Sequence, residues 1–179
     1  MVLKLNLEKA FDKVNWTYLR LILLQIWVRL GGVNWIMGCI SMVTIVIMVN
    51  GTRSSFFTAT RGIRKGYPLS PLLFILVIEG LSLLIKDAKV KGKIWGIKIS
   101  DSLYLTHLLF VDDVILFGNC TVMEWMAFDV LLETFCYASG MSISLNKSSF
   151  LYNELDLGIL HDNQCFLPFK AEPIQPGFK

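Results

Sequence analysis

Residues 103–109 and 114–117 are two apolar, β-prone runs separated only by Phe110-Val111-Asp112-Asp113. Runs of this composition favour strands, and aspartates between them favour a reversal, because their short polar side chains tolerate turn conformations. The spacing predicts a hairpin that bends at Asp112-Asp113. Two like charges this close repel, and apolar flanks that strip water from them sharpen the repulsion. A divalent cation would relieve it, since hard oxygen donors suit magnesium. A plain polar turn would tolerate it in solvent, and for the dipeptide alone that is the simpler reading.

Periodicity divides the rest of the chain around this hairpin. Leu3, Leu5 and Leu7 fall on one side of 2–8, and Lys4, Asn6 and Glu8 on the other, which is the period of a half-buried strand. From Lys9 the spacing turns helical, and the helix is expected to run to about residue 30 and stop at Gly31-Gly32. Residues 43–49 and 54–60 flank Asn50-Gly51, a strong signal for a two-residue hairpin loop. A basic, glycine-punctuated loop follows at 61–66, and then Pro68 and Pro71 open an apolar helix to about residue 88. Proline is tolerated in a first helical turn because the N–H groups there have no partner.

After a charged turn at 89–93, a short strand is expected at 94–99. Residues 122–139 read as a helix closed by Gly140, 142–145 as a short strand and 152–160 as a short helix. The order strand, helix, hairpin, helix, hairpin, helix, strand predicts an α+β domain: an antiparallel sheet with helices packed on one face.

Composition narrows the classes. A chain of 179 residues suffices for one domain with a real core, and 54% apolar residues exclude a disordered one. Only 17% of residues are charged, which points to surfaces that face something other than water. The net charge of +3 is compatible with a polyanionic partner without requiring one. Cys39, Cys120, Cys136 and Cys165 form no CxxC pair, and His107 and His161 are isolated, so zinc ligation is not expected. No secretory leader pattern opens the sequence, so a reducing, intracellular location is the expectation. The uncharged run 33–49 is near the lower length limit for a membrane span, but polar residues interrupt it and its second half is β-branched. The run 67–85 carries Glu79, which would be costly in lipid, so no membrane partner is expected.

Three further blocks could carry chemistry. The Lys4–Asn6–Glu8 face runs into Phe11 and Asp12, which by itself is an amphipathic strand entering a helix. The stretch 61–68 joins glycines to Arg61, Arg64 and Lys65 ahead of a helix N-terminus, a setting that favours an anion but is also an ordinary solvated loop. It is not a P-loop, because no Gly-Lys-Ser/Thr follows at the required spacing. Lys147 after a short strand is, alone, a solvated charge.

Taken together and in this order, the four blocks resemble the motifs of reverse transcriptases. Lys4-Leu5-Asn6-Leu7-Glu8-Lys9-Ala10-Phe11-Asp12-Lys13-Val14 is similar to the first catalytic motif, and 61–71 to the Arg-Gln-Gly-x-Pro-Leu-Ser-Pro motif. Phe110 to Asp113 matches the aromatic-x-Asp-Asp box, and 140–147 resembles the next motif with its lysine. Asn34-Trp35-Ile36-Met37, Asn50-Gly51-Thr52 and Leu105-Thr106-His107-Leu108-Leu109 are similar to LINE-type (non-LTR) retrotransposons of plants.

The resemblance implies a palm with fingers and thumb incomplete or absent. Residues 1–150 would form a partial reverse transcriptase domain, palm with part of the fingers, and 151–179 a truncated connection toward the thumb. It implies RNA-directed DNA polymerisation with two Mg2+ ions, an RNA template, a DNA primer and deoxynucleoside triphosphates, in the nucleus or cytoplasm. Asp112 and Asp113 would be metal ligands, Asp112 the more direct. Phe11 would lie under the sugar as a gate against a 2′-hydroxyl. Gly66 would lie near nucleotide and template, and Lys147 would protonate or neutralise the leaving pyrophosphate.

Three positions depart from the pattern. Asn6 stands where the family presents a metal-binding aspartate, Lys65 where it has glutamine, and Tyr67 where it has a small residue. An amide oxygen can ligate but brings no charge to balance a divalent ion. In an unrelated hydrolase, turning one catalytic carboxylate into an amide costs about 10⁴-fold, so an inactive or weak copy is expected. Asp12 is not expected to substitute. The alternative is a non-catalytic remnant that binds nucleic acid or protein.

Overall fold

The computed structural model describes residues 2–101, 103–119, 121–152 and 169–173. Strand β1 (Val2–Asn6) follows the alternating pattern, with Leu3 and Leu5 fully buried and Lys4 exposed. Helix α1 (Ala10–Lys13) is a single turn. The chain breaks at Val14-Asn15, and Asn15 caps helix α2 (Trp16–Gln25) by accepting hydrogen bonds from the N–H groups of Thr17 and Tyr18.

The expected stop at Gly31-Gly32 is incorrect. Helix α2 ends earlier, where Trp27 adopts a left-handed conformation (φ 65°). There the Trp27 N–H bonds the Leu24 carbonyl and the Val28 N–H the Leu23 carbonyl, the paired bonds of a Schellman motif. Helix α3 (Leu30–Ser41) then runs through both glycines, anchored by Val33 and Ile40, two turns apart and both in the core.

The Asn50-Gly51 hairpin forms as expected, with positive φ at both residues (49° and 80°) as a type I′ turn requires. Strands β2 (Thr44–Ile45) and β5 (Phe57–Thr58) pair at its base, and β3 (Met48–Val49) and β4 (Thr52–Arg53) at its tip. Helix α4 (Ser70–Val90), with Pro71 in its first turn, buries Leu73, Val77, Leu81 and Ile85. The strand expected over 94–99 is confined to β6 (Ile97–Lys98), which pairs with β7 (Tyr104–Leu105).

Strands β8 (His107–Phe110) and β9 (Asp113–Phe117) form the expected hairpin. Helix α5 (Val122–Ser139) has the expected span and is closed by Gly140 at φ 76° as expected, and the Thr121 side chain caps its start. The strand expected over 142–145 is replaced by a single bridge from Ile143 to Leu7 and a 3₁₀ turn at Leu145–Lys147. The cause is tertiary: the Ser144 N–H bonds the Asn6 carbonyl and Ser148 Oγ accepts from the Asn6 N–H, wrapping the chain round the end of β1. Strands β10 (Ser149–Tyr152) and β11 (Lys170–Pro173) complete the sheet. Of the helix expected over 152–160, Tyr152 belongs to β10 and the rest lies outside the described residues.

The main sheet has the order β11-β10-β1-β9-β8, antiparallel except for the β10–β11 pair. Leu3, Leu5, Val114 and Leu116 join Leu73, Leu81, Phe128 and Phe135 of the helices in one core. This is the expected α+β arrangement. Among the described residues no helix is long and apolar enough to cross a membrane.

Candidate functional site

The register of β1 on β9 sets Asn6 opposite Asp113. Asn6 Nδ2 donates to Asp113 Oδ1 at 3.0 Å. The hairpin bends at Val111-Asp112, and Asp113 already belongs to β9 and pairs with Phe110. Val111 has φ 53°, a conformation in which a β-branched residue is strained by about 1–2 kcal/mol. The turn is held there by the Leu7 N–H, which donates to the Asp112 carbonyl at 2.8 Å. The end of β1 thus fixes the backbone of Asp112 and the side chain of Asp113 together.

Beyond Asn6 the chain turns through Lys9, whose left-handed backbone (φ 48°) swings α1 back over the strand end. Phe11 on α1 lies flat against Phe74 of α4, with ring centroids 4.3 Å apart and planes 12° from parallel. Lys13 pairs with Glu8 at 2.6 Å, and Ser142 hydrogen-bonds both. The Lys13 ammonium holds the Glu8 carboxyl below its ordinary range. This contact ties α1 to the segment 140–147.

A cavity of about 510 Å³ opens here, lined by Asn6, Phe11, Lys65, Asp112 and Lys147, with Glu8 and Lys9 beside them. Five of the seven residues singled out from sequence therefore meet on one wall. Asp113 reaches the group through its hydrogen bond with Asn6. Gly66 (φ 82°) follows Lys65 but stays outside the lining.

The loop 61–66 is pinned to α1 by backbone bonds from Gly62 to Val14 (2.8 Å) and Ile63 to Phe11 (2.7 Å), and Trp16 Nε1 donates to the Gly62 carbonyl at 2.7 Å. A side chain at Gly62 would collide with the Asp12 backbone, and φ there is 88°. A second cavity of about 560 Å³ is lined by Asp12, Arg61, Arg64 and Lys65 among others. Lys65 borders both cavities and lies 3.4 Å from Asp12, an exposed pair of small energetic worth. Asp12 faces this second cavity rather than the one with Asn6 and Asp112.

Sequence reasoning missed Lys9, Glu8 with Lys13 and Ser142, and the anchoring role of Gly62 and Trp16. Glu8, Lys9, Lys13 and Gly62 all lie inside blocks that the sequence singles out, but nothing there marked their contacts. Those contacts depend on segments distant in sequence. The two ring nitrogens of His107 contact Thr106 Oγ1 (2.9 Å) and Ser82 Oγ (3.0 Å), and burial lowers its pKa.

The donor set at the site is two carboxylates and one amide, and the amide presents N–H to Asp113. Among the described residues no group of three His, Cys, Asp or Glu could hold a metal ion. These donors do not fit a two-ion centre, which needs enough carboxylate charge to balance its cations.

A family profile described as "Reverse transcriptase (RNA-dependent DNA polymerase)" matches residues 1–174. Over 156 residues the chain is 31% identical to a retrovirus-related Pol polyprotein from the type-1 retrotransposable element R2 of Popillia japonica, covering 82% of this chain and 20% of the polyprotein. Over 70 residues it is 44% identical to an uncharacterized mitochondrial protein of Arabidopsis thaliana, covering 38% of this chain and 57% of that one. The chain thus spans about a fifth of the R2 polyprotein and just over half of the mitochondrial protein. Its fold is similar to that of telomerase from Candida tropicalis, solved with a fragment of telomeric RNA, with TM-score 0.62 and 14% identity over 82% of this chain and 25% of that one. The telomerase of Candida albicans gives TM-score 0.62 at 12% identity, covering 82% and 27%.

Proposed function

We propose, from the premise that this chain belongs to the reverse transcriptase (RNA-dependent DNA polymerase) family, that it is the palm portion of the polymerase of a LINE-type retroelement whose activity is lowered by Asn6. The observation that carries this reading is the meeting of Asn6, Asp112, Phe11, Lys65 and Lys147 on one cavity, with Asp113 held by Asn6.

In this reading residues 1–150 are palm with part of the fingers, and 151–179 lead toward a thumb. The substrates are an RNA template, a DNA primer and deoxynucleoside triphosphates, and the work is done in the nucleus or cytoplasm. Reverse transcriptases use divalent metal ions, Mg2+ in the reading proposed here, with Asp112 and Asp113 as the carboxylates offered. Since this donor set does not fit a two-ion centre, the roles assigned to the chain rest on binding and position. Phe11, immobilised by its stack on Phe74, is the surface under the sugar and the obstacle to a 2′-hydroxyl. Lys65 and Gly66 adjoin the nucleotide, and Lys147 neutralises or protonates the departing phosphate.

The test is primer extension on an RNA template with Mg2+ or Mn2+, comparing the unmodified chain with Asn6→Asp. The expected result is little product from the first and a gain in the second, on a scale set by the roughly 10⁴-fold cost of a carboxylate-to-amide change in an unrelated enzyme. Equal extension by both removes the claim of impairment. No extension by either, with salt-dependent binding of the primer–template, favours the alternative of a non-catalytic nucleic-acid-binding remnant. The cavity lined by Arg61, Arg64 and Lys65 is what supports that second reading.

A further inference from the structure

We infer that the outer face of the α2–α3 helical hairpin is a docking surface for single-stranded nucleic acid, with Trp27 and Trp35 stacking on unpaired bases and Arg20 and Arg29 meeting phosphates. None of these four residues lines the cavity of Asn6 and Asp112, and the inference holds whether or not that cavity polymerises.

The first support is how charge is divided along the chain. From Lys13 to Ile78 there is no aspartate or glutamate, and all five arginines of the protein fall within this stretch. The stretch also holds Lys13 and Lys65, which find carboxylates in Glu8 and Asp12. Beyond it, Lys86, Lys91 and Lys98 each pair with an acid close by in sequence. Among the described residues no arginine pairs with a carboxylate. Arg20 donates instead to the amide oxygen of Asn34 at 3.2 Å. Asp129 and Glu133 belong to α5, which meets α2 on its packed side, where Tyr18 contacts Phe135 edge-on at 6.3 Å. The outer face thus carries cations with no anion among them, which suits a polyanion.

The second support is the state of the two indoles. Helix α2 buries Leu19, Ile22 and Leu23, and α3 buries Val33 and Ile40. Arg20, Leu24, Asn34 and Trp35 are turned to solvent instead. The bond from Arg20 to Asn34 ties the two helices across this face and brings Arg20 near Trp35, the next residue along α3. Trp27 stands at the turn between the helices, with Arg29 two residues on as the α3 N-cap. Both tryptophans are nearly fully exposed, and neither ring stacks on another ring or on a cation among the described residues. A base laid on such a ring covers its apolar face without regard to sequence, and only an unpaired base has a face to offer.

An anionic lipid surface would also attract cations and indoles. It draws lysine and arginine alike, whereas the planar guanidinium fork matches individual phosphate groups. The exclusive use of arginine for the unpaired charges of this stretch favours phosphates held one by one.

The experiment is equilibrium binding of a labelled single-stranded oligoribonucleotide to the full chain at low and then rising salt. A duplex of the same sequence and vesicles of phosphatidylserine and phosphatidylcholine are run in parallel. The single strand is expected to bind, to quench tryptophan emission and to bind more tightly than the duplex. Trp35→Ala and Trp27→Asn should each weaken it by about fivefold to a hundredfold, the scale of one base stacked on an aromatic ring. Asparagine keeps the left-handed turn at position 27, and the exposure of both tryptophans leaves the core untouched. Trp35→Phe, which retains a stacking face, should recover most of the loss. Arg29→Gln should lower the slope of log affinity against log salt by about 0.7, one phosphate contact on a single strand.

Absence of binding at low salt, indifference to the tryptophan changes, or equal affinity for the duplex would each overturn the proposal. A loss confined to Lys65→Gln and Lys147→Gln would overturn it by placing the strand in the cavity. Vesicle binding without oligonucleotide binding would overturn it in favour of a lipid surface. Primer extension by Asn6→Asp tests the cavity separately, so either reading can fail with the other intact.

Discussion

At the scale of single residues, the site is organised by two side chains with opposite histories in the sequence. Asn6 was legible as a departure at the end of an alternating strand, but its partner was not. Only the β1–β9 register shows that it faces Asp113 and supplies a hydrogen bond. Val111 carried no signal at all, because strain at positive φ is a property of the closed hairpin and not of the residue. Asn tolerates that conformation far better than a β-branched side chain. Val111→Asn is therefore expected to raise stability by about 0.5–1 kcal/mol, measured by denaturant unfolding. A loss of stability would mean that the Val111 side chain, half exposed beside the cavity, contributes more packing than its backbone costs.

At the scale of elements, boundaries were legible where the terminating groups are local. Helix α5 spans the residues its sequence predicts and ends at Gly140 as expected, and the Thr121 cap that the structure adds at its start likewise acts within one turn of the helix. Helices α2 and α3 were not, because the break between them is made by Trp27, a residue with no preference for the left-handed region. Two adjacent glycines looked like a stop, yet they sit in the first turn of α3, where tertiary burial of Val33 and Ile40 outweighs their weak propensity. The contact of α2 with α4 has its own requirement: a side chain at Gly80 would overlap the hydroxyl of Tyr18. Gly80→Ala should destabilise the fold by about 1–3 kcal/mol through overpacking. Tyr18→Phe in the same chain should recover part of that loss, because it removes the overlapping oxygen. A double-mutant cycle by thermal unfolding reads the coupling, and strict additivity would disprove the contact.

At the scale of the molecule, the low charged fraction has a visible counterpart. Trp27 (91% exposed), Trp35 (80%), Met42 (83%) and Phe56 (76%) present large apolar groups to solvent, in a chain that spans about a fifth of its R2 relative. The hairpin from β2 to β5 is exposed along its paired residues and, among the described residues, its strands pair only with one another, whereas β1 lies between two strands and under the helices. Two-stranded ribbons are marginal in water. Amide hydrogen exchange should accordingly be slowest at Leu3, Leu5, Val114 and Leu116 and fast at Met48 to Arg53. Comparable protection in both regions would show that the hairpin is packed against something in solution.

The sequence by itself determined the α+β class, the strand and helix periods, the Asn50-Gly51 turn, the limits of α5 and the ordered blocks that place the chain in its family. These rest on local rules: side-chain period, capping and turn chemistry act over a few residues and can be read from a few residues. Tertiary structure alone decided the rest. The order of the sheet brings 2–6, 113–117 and 149–152 side by side, and only that order turns Asn6, Phe11, Lys65, Asp112 and Lys147 into one cavity with Asp113 held behind it. The physical reason is separation along the chain: Asn6 and Asp113 lie 107 residues apart, and no local preference couples them until the core beneath the sheet is packed.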